Sequence, residues 1–477
     1  MNTSRDFRLG ILYAMAFNSS LGSVVWGYNI SIFNALRVFL QSNVFPNASD
    51  FVISLIASSL TLGAAGGSYY AGRLLNAFGR LHVLLVSDLI GILAICLTLI
   101  HSLPIMVFGK FIIGVIIGIN GVAVSLYNIE MSPISVKGIM GSISMSSLAF
   151  GVTLGLVVQL TVPEPSQGGD SQIWRVLFAL PILLHIIRYT ILKYLLNYET
   201  PLYLTMQDKV NEAREVLQVI YTDNIDIHLQ RVIQDKNKMA ASSGGNITLT
   251  DMFTKKYRKA FLISLFIMAG VQLCGFTSMF VFFNVYIADS ANNDFNEIAL
   301  FATIMGIISF LSAVFANVIV DKFGRKVLFV VGMAFMAVTE FLYVFIGYLD
   351  GTSNPLLKYI LSIWPLFFRI STGTLAFIYV PELLPSVGVS VVIFLNWMLA
   401  FINVQTCLPI VHAIGTPGSL LFHAIFCLVS TIIYQKYIIE SKGRTKAELL
   451  DMYSEMTPKS SIDTNTLEMT KIPLIKR

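Results

Sequence analysis

Two sets of charged residues recur at matching places in the two halves of this chain. In chain order they are Arg80, Glu130 and Glu199, followed by Arg325, Glu382 and Glu440. Corresponding members lie 245, 252 and 241 residues apart, each between apolar runs. Carboxylates and guanidinium groups at helix ends can form salt bridges and release them again, so these residues predict a switch made of ion pairs. The alternative interpretation is that charges at helix ends only mark the boundary between apolar and aqueous surroundings.

The composition of the whole chain shows what kind of element must carry these residues. Hydrophobic residues make up 55% of the 477 positions and charged residues only 12%, whereas soluble globular proteins have about 25% charged residues. A body of this size with so little charge leaves most of its surface apolar. That excludes a disordered chain, a nucleic-acid binder built on a basic surface, and almost any soluble enzyme. The remaining class is a polytopic membrane protein whose outer surface faces lipid.

Membrane-spanning helices need about 20 apolar residues each, and the chain holds twelve segments that meet this requirement. Because backbone polar groups in lipid must pair internally, all twelve are expected to be α-helices. Their approximate bounds are 9–28, 51–72, 82–101, 105–127, 139–161, 174–196, 260–287, 298–320, 326–348, 356–380, 388–411 and 418–438.

Lysine and arginine residues are unevenly distributed between the two sides of the membrane that these spans imply. With the N-terminus inside, 24 of the 32 basic residues fall on the inner side. The outer side holds only Arg37, Arg175 and Lys358. Positive charge concentrates on the cytosolic side of membrane proteins, so both termini are predicted to be cytosolic. The first outer loop then carries the sequon at Asn47, a candidate for N-glycosylation.

The repeat of the charged residues indicates that the chain consists of two similar halves. A six-helix bundle is predicted for residues 1–197 and another for 260–438, with a cytosolic loop containing short helices at 198–259 and a cytosolic tail at 439–477. Two bundles related by an axis along the membrane normal are typical of alternating-access transporters. The sequence therefore predicts an all-α membrane protein with twelve transmembrane helices in two six-helix bundles.

Several short motifs occur in an order and at places that make the set highly specific. They are Trp26-Gly27-Tyr28-Asn29, Gly109-Lys110-Phe111, Tyr127-Asn128-Ile129-Glu130, Gln272-Leu273-Cys274-Gly275, Asn396-Trp397 and Glu440-Ser441-Lys442-Gly443-Arg444-Thr445. With them the chain resembles, over essentially its whole length, the sugar porter branch of the major facilitator superfamily. It is most similar to the animal facilitative glucose transporters, as a divergent member. The resemblance implies the major facilitator fold and facilitative transport of a hexose or a related polyhydroxy solute.

For the six charged residues, the resemblance implies a cytosolic gate whose salt bridges pair the two bundles when the transport cavity faces outward. Several neighbouring positions depart from the family pattern. Asn76 stands in place of an aspartate, Leu81 in place of a basic residue, and Tyr198 and Ile439 in place of prolines. These departures predict a weakened gate that favours inward opening.

The resemblance also places a sugar site between the bundles, near the middle of the membrane. Sugar hydroxyls need directional donors and acceptors, with aromatic rings against the C–H side of the sugar. Gln272 suits this role best, because a side-chain amide donates and accepts at once. The residues expected at the site are Trp26, Gln272, Thr277, Phe280, Ser309, Phe368, Arg369, Phe377 and Trp397.

The expected site lacks several hydrogen-bonding groups that the family usually has. Met145 and Val271 stand in place of glutamines, Phe377 in place of a tryptophan, and Ala400 in place of an asparagine. Arg369 occupies a position that is normally a glutamate. An arginine inside a membrane is costly and usually functional, so Arg369 could bind an anionic substrate or a neighbouring carboxylate. Alternatively, its side chain extends to water at one end of the cavity.

Coupling of transport to protons is not expected. Proton-driven relatives carry an aspartate in the first span, where this chain has Asn29. A side-chain amide does not titrate. The acidic residues left within the spans, Asp88 and Glu340, are at positions that normally face away from the transport pathway. The resemblance therefore implies a uniporter.

Three functions fit these observations. The first is the facilitative carrier, the second is the same fold carrying a different small solute such as an organic anion, and the third is a non-transporting sugar sensor. No nucleophile, acid–base pair or nucleotide-binding loop points to an enzyme, and no cofactor or metal site is expected. The expected partners are a small-molecule substrate, foremost a sugar, and membrane lipid, without nucleic acid. The expected location is the plasma membrane.

Overall fold

Helices form almost all of the residues that the computed structural model describes, which are 6–164, 172–243, 248–444 and 446–455. The first half contains α1 (Leu9–Phe39), α2 (Asp50–Phe78), α3 (Arg80–Thr98), α4 (Leu103–Glu130), α5 (Lys137–Val157) and α6 (Ile173–Tyr194). Between the halves lie α7 (Pro201–Met206), α8 (Val210–Ile220) and α9 (Ile225–Ser243). The second half contains α10 (Arg258–Leu273), α11 (Phe276–Ile287), α12 (Phe295–Phe323), α13 (Arg325–Leu349), α14 (Leu356–Ile370), α15 (Thr372–Leu383), α16 (Ser386–Tyr437) and α17 (Lys446–Glu455).

Eleven segments of the described chain are helical, long and apolar enough to cross a membrane, with α10–α11 and α14–α15 counted as one segment each. Helix α16 has 52 residues. At about 1.5 Å per residue it is more than twice as long as a bilayer core of roughly 30 Å. Its backbone leaves the helical conformation at Gly415 (φ 74°, ψ 170°), and Pro417 follows. Helix α16 therefore supplies two crossings, which confirms the prediction of twelve.

The crossings form two bundles. In the first bundle α2 packs on α4, α1 on α5, and α3 on α4 and α6; in the second, α10 and α13 pack on α16, and α12 and α13 on α14. The bundles meet where α2 contacts α16, α5 contacts α12 and α1 contacts α11. We call the face that carries the start of α1, the α2–α3 turn and helices α7–α9 the terminal face. The other end of the bundles is the opposite face.

Small residues let the helices of the first bundle approach closely. A Cβ added at Gly114 or Gly118 of α4 would lie 2.0 Å and 2.3 Å from backbone carbonyl oxygens of α2. Close contacts of this kind suit a membrane bundle, where van der Waals packing holds helices together. Large apolar side chains such as Leu93, Phe345 and Ile432 point outward with more than 60% of their surface exposed, as expected for side chains that face lipid.

Helix α1 extends further than the apolar run that predicted it. The prediction ended near residue 28, but α1 continues to Phe39. Its polar residues Asn29, Ser31 and Asn34 are buried and hydrogen-bonded within the protein. A hydropathy pattern stops at such residues, whereas the helix continues because they face other helices instead of lipid.

Candidate functional site

The candidate site is built on a break in the first crossing of the second bundle. Between α10 and α11, Gly275 adopts φ +90°, a conformation that residues with a side chain rarely adopt. The carbonyl groups freed by the break have partners. His423 Nδ1 donates to Leu273 O at 2.8 Å, and Asn403 Nδ2 donates to Gln272 O at 2.9 Å. Irregular backbone at membrane depth is tolerated only where its polar groups are paired in this way.

A cluster of amide and hydroxyl groups lies at this break, with Gln272 at its centre. Gln272 Nε2 donates to Asn396 Oδ1 at 3.1 Å, and Thr277 Oγ1 donates to Gln272 Oε1. All three side chains are buried. Amide and hydroxyl groups both donate and accept, so they can exchange these mutual bonds for bonds to the hydroxyls of a ligand. Gln272 and Thr277, which were both predicted for the site, thus lie in contact. Asn396 belongs to one of the sequence motifs but was not predicted as a site residue.

An aromatic pair connects this cluster to the first bundle. Trp397 follows Asn396 on α16, and its ring centroid lies 5.4 Å from that of Trp26 on α1. The indole Nε1 of Trp26 is buried and has no hydrogen-bond partner among the described residues. A buried donor without an acceptor costs about 1–3 kcal/mol. Because the indole nitrogen can only donate, an oxygen atom of a ligand would relieve this cost.

A second cluster surrounds Arg369 at the end of α14. The guanidinium carbon lies 5.7 Å from the ring centroids of Phe276, Phe280 and Phe368. Arg369 Nε donates to Ser309 Oγ at 3.0 Å, while Nη2 is buried and has no partner within the described chain. Phe276 begins α11, so the arginine cluster and the amide cluster share the break between α10 and α11.

The backbone around Arg369 explains how a cation is held at this depth. Arg369 is the second-last residue of α14, which ends at Ile370, and Ser371 has a non-helical conformation (φ −107°, ψ −121°). The C-terminal end of a helix carries a partial negative charge that favours a cation. Only 1% of the Arg369 surface is exposed, so the alternative in which its side chain extends to water is wrong for this conformation.

The two clusters and the Trp26–Trp397 pair together contain eight of the nine predicted substrate-site residues. The ninth, Phe377, lies half-buried on α15. None of the ring contacts in the described part of the chain joins Phe377 to Trp26, Trp397 or the rings around Arg369.

At the terminal face, the first charged set forms one cluster inside the first bundle. Arg80 Nη2 lies 2.9 Å from Glu130 Oε1, and Thr200 Oγ1 donates to Glu130 Oε2 at 2.6 Å. Glu199 instead accepts from the backbone N–H groups of Arg80 and Leu81 at 3.1 and 2.9 Å, and so caps the N-terminus of α3. Burial raises the pKa of the Glu199 carboxyl above its ordinary value of 4.5, although these backbone hydrogen bonds lower it.

The second charged set repeats this arrangement in the second bundle. Arg325 Nη2 lies 3.5 Å from Glu382 Oε1. Glu440 accepts from the backbone N–H groups of Arg325 and Lys326 at 2.9 and 3.0 Å and caps α13. Burial opposes ionisation of Glu440, but hydrogen bonds from the backbone of Arg325, Lys442 and Lys326 hold its pKa below the ordinary value of 4.5. The two caps therefore share one geometry and differ in how readily they take up a proton.

The two bundles are hydrogen-bonded to each other at the opposite face. Asn34 Nδ2 of α1 donates to Asn284 Oδ1 of α11 at 2.8 Å, and the Asn284 backbone N–H donates to Asn34 Oδ1 at 3.0 Å. Ser58 of α2 donates to Gln405 of α16 at 2.6 Å. The ion pairs of Arg80 and Arg325 described above, by contrast, each stay within one bundle. Ion pairs between the bundles were predicted for the outward-facing conformation and stay a prediction.

Comparison with known proteins identifies the family. Residues 12–453 match the family model for sugar (and other) transporters. The chain belongs to the sugar transporter family. A similar relative is hexose transporter 1 of Plasmodium vivax, 26% identical over 470 residues, which cover 92% of this chain and 91% of the relative. Another is the facilitated glucose transporter member 3 of solute carrier family 2 from dog (Canis lupus familiaris), 23% identical over 398 residues, which cover 79% of this chain and 78% of the relative.

The solved structures that resemble this sugar transporter show the same fold. The xylose transporter XylE from E. coli in an inward-open conformation superposes with a TM-score of 0.76 at 18% identity, covering 92% of this chain and 99% of that one. The fold is therefore the twelve-helix major facilitator fold that the sequence predicted. Membership of the sugar transporter family makes the protein a transporter and not an enzyme.

Two buried ionic groups of this transporter were not predicted as clusters. In the first bundle, Asp88 accepts from Arg188 Nε at 2.9 Å and lies 2.6 Å from His185 Nδ1. Lys110 Nζ of α4 donates to Asn29 Oδ1 of α1 at 3.1 Å. Charged side chains at membrane depth usually pair with an opposite charge or a polar group. The single charged residues in the apolar runs, such as Asp88 and Lys110, therefore indicated that each has a buried partner. The sequence alone did not show which residues they are.

Proposed function

We propose that this protein is a facilitative carrier that moves a hexose or a related polyhydroxy solute across a membrane by alternating access. The observation that carries the proposal is the buried Trp26 Nε1 at the contact between the bundles, a donor that finds no acceptor among the described residues. The adjacent Gln272 cluster supplies donors and acceptors, and Trp26 and Trp397 supply aromatic faces for the C–H side of a sugar. The names of the relatives from Plasmodium vivax and dog support the same substrate class.

The contacts between the bundles suggest how access alternates. Hydrogen bonds such as Asn34–Asn284 and Ser58–Gln405 close the opposite face in this conformation. Opening that face requires the bundles to rotate, which brings their terminal ends together. We infer that the clusters of Arg80 and Arg325 then pair across the bundles and act as the gate on the terminal face.

The side chain that contacts Lys110 is an asparagine, and this favours uniport over transport coupled to protons. Asn29 offers an amide oxygen there and no carboxylate, so α1 supplies no acidic group that could take up and release a proton with the solute. The carrier then moves solute only down its own gradient.

The orientation rests on the charge distribution. With 24 of 32 basic residues on the terminal side, the terminal face is cytosolic. The opposite face is then extracellular if the carrier resides in the plasma membrane. Asn47 lies exposed in the turn between α1 and α2 on that face, where it is available for N-glycosylation.

The substitution Trp26→Phe tests the proposal directly, because it removes Nε1–H and keeps an aromatic ring. In liposomes that contain the purified protein, the KM for hexose counterflow is expected to rise about 10-fold, the loss of one hydrogen bond in a buried site. Trp174→Phe is the matched control, since Trp174 is equally buried but packs on Phe178 in α6. Equal KM values for wild type and Trp26→Phe would contradict the assigned role of Trp26, and specific binding without flux would favour a sensor.

A further inference from the structure

The geometry points to a solute with a single carboxylate, a sugar acid such as a hexuronate, whose carboxylate binds to Arg369. This inference rests on the proposed function and narrows its substrate class. A neutral hexose fits the Gln272 cluster but leaves the charge of Arg369 uncompensated.

Arg369 is a buried cation that lacks an anionic partner. Within the described chain, no carboxylate oxygen lies within 4.0 Å of its guanidinium nitrogens, and its one side-chain hydrogen bond goes to the neutral Ser309. The buried acid on the neighbouring helix α13, Glu340, accepts instead from Trp364 Nε1 at 2.9 Å. A charge taken out of water without a partner costs several kcal/mol. The bound anion of a ligand would offset that cost.

The surroundings of Arg369 favour a carboxylate over other anions. Its planar guanidinium can bind both oxygens of a carboxylate, and its buried Nη2 has no partner in the part of the chain that the structure describes. The rings of Phe276, Phe280 and Phe368 line the group at 5.7 Å and keep water away. One cation balances one negative charge, so a phosphate ester with nearly two charges would remain partly uncompensated here.

The remainder of the solute is set by the amide cluster. Gln272 and Thr277 lie at the same helix break as Phe276, four residues before it and directly after it. Gln272 also donates a hydrogen bond to Asn396, the neighbour of Trp397. A short carboxylic acid without hydroxyl groups would occupy Arg369 and leave the Trp26 donor without an acceptor. A polyhydroxy chain or ring with one carboxylate satisfies both clusters.

The test compares D-glucuronate with D-glucose in liposomes that contain the purified protein, with the membrane potential set by potassium and valinomycin. D-glucuronate is expected to saturate uptake at a concentration at least about 10-fold lower than D-glucose, because charge-assisted hydrogen bonds are stronger than neutral ones. Uniport of D-glucuronate moves a negative charge. An inside-positive potential is therefore expected to speed its uptake and to leave that of D-glucose unchanged.

Three variants assign the effect to Arg369. Arg369→Gln is expected to weaken D-glucuronate binding about 10- to 100-fold and so to abolish the preference for the acid over D-glucose, and Arg369→Lys to weaken it less. Lys110→Gln removes another buried cation that has only a neutral hydrogen-bond partner, and it is expected to keep the preference for the acid. Thermal unfolding of each variant, with and without D-glucuronate, reports folding and binding independently of flux.

The outcomes separate this inference from the proposed function. Saturable D-glucose flux with no transport or binding of D-glucuronate would overturn the inference and leave the carrier intact. Stabilisation by D-glucuronate that requires Arg369, without flux of either solute, would support the binding site and overturn the carrier. A preference that persists in Arg369→Gln or disappears in Lys110→Gln would overturn the assignment to Arg369. Absence of binding and flux for both solutes would overturn both.

Discussion

Some of the side chains that could contact a solute can be recognised from their residue type alone, whereas the importance of others is visible only from their contacts in the structure. An amide within an apolar run is rare enough to single out Gln272, and a cation at membrane depth singles out Arg369. Residue type does not show that Asn403 holds the Gln272 carbonyl or that Trp26 Nε1 lacks a partner. Both depend on which helices meet, so the contacts that join these side chains, and the part that Asn396 plays in them, became visible only in the structure.

Substitution of Gln272 is the strongest test at this scale. Gln272→Ala removes a buried group that bonds to Asn396 and Thr277 and is therefore expected to raise the KM for hexose about 10-fold or more. The concentration dependence of counterflow measures this change. Gln41→Ala is the control, because Gln41 lies at the opposite face and bonds to Asp50. An unchanged KM in Gln272→Ala would remove Gln272 from the site.

The repeated turns at the starts of α3 and α13 explain why the same short motif occurs in both halves. Gly79 and Gly324 have φ values of +89° and +82° with ψ near 165°, a region that essentially only glycine occupies. A Cβ at Gly79 would also lie 2.4 Å from a carboxylate oxygen of Glu199, and one at Gly324 would lie 2.6 Å from a carboxylate oxygen of Glu440. Each glycine thus leaves room for the carboxylate that caps the next helix.

Alanine at these glycines is expected to destabilise the protein. Gly79→Ala and Gly324→Ala should each cost about 1–3 kcal/mol through backbone strain, with a further loss from displacement of the cap. Thermal unfolding in detergent measures the effect. Gly72→Ala serves as control, since Gly72 lies within α2 with no atom near its Cβ position and alanine favours the helix by about 0.5–1 kcal/mol. Equal stability of Gly72→Ala and Gly79→Ala would show that the turn tolerates a side chain.

The two caps are expected to differ in how much stability the protein loses when their charge is removed. The lowered pKa of Glu440 means that its carboxylate contributes stability above the ordinary glutamate range, and that this contribution is lost as pH falls through the lowered value. Burial raises the pKa of the Glu199 carboxyl, which means that its charged form is less favourable in the folded protein than in the unfolded chain.

Glu440→Gln should therefore lower stability at pH 7 by about 1 kcal/mol, the usual worth of a helix cap. The deficit should shrink on acidification, whereas Glu199→Gln should cause little loss at either pH. Melting temperatures of both variants at pH 7 and pH 4 measure the difference. Equal losses for the two variants at pH 7 would contradict the different environments of these caps.

Element lengths and breaks show the limit of hydropathy. The twelve apolar segments were identified, but α1 runs eleven residues beyond its predicted end because its buried amides bond to other helices, Asn29 to α4 and Asn34 to α11. The breaks at Gly275 and Ser371 lie inside single predicted spans, 260–287 and 356–380. The few polar residues around each break lower the hydropathy only locally, so they did not divide the predicted span.

The molecule as a whole is closed at the opposite face by contacts that join α1 to α11 and α2 to α16. The charged repeats predicted the two bundles, since corresponding loops must occupy corresponding places. The charged repeats did not predict which face is closed. The contacts that close the opposite face are made by neutral amides such as Asn34 and Asn284. Such residues occur at many helix ends and carry no pattern that identifies them.

Net uptake of a hexose by liposomes that contain only the purified protein tests the central claim most directly. Uptake is expected to be saturable, to stop when inner and outer concentrations are equal, and to be unchanged by a protonophore, since Asn29 offers no titratable group beside Lys110. Trp26→Phe should raise the half-saturating concentration in the same assay. Accumulation above the outer concentration that collapses with the protonophore, or uptake that never saturates, would contradict a facilitative carrier.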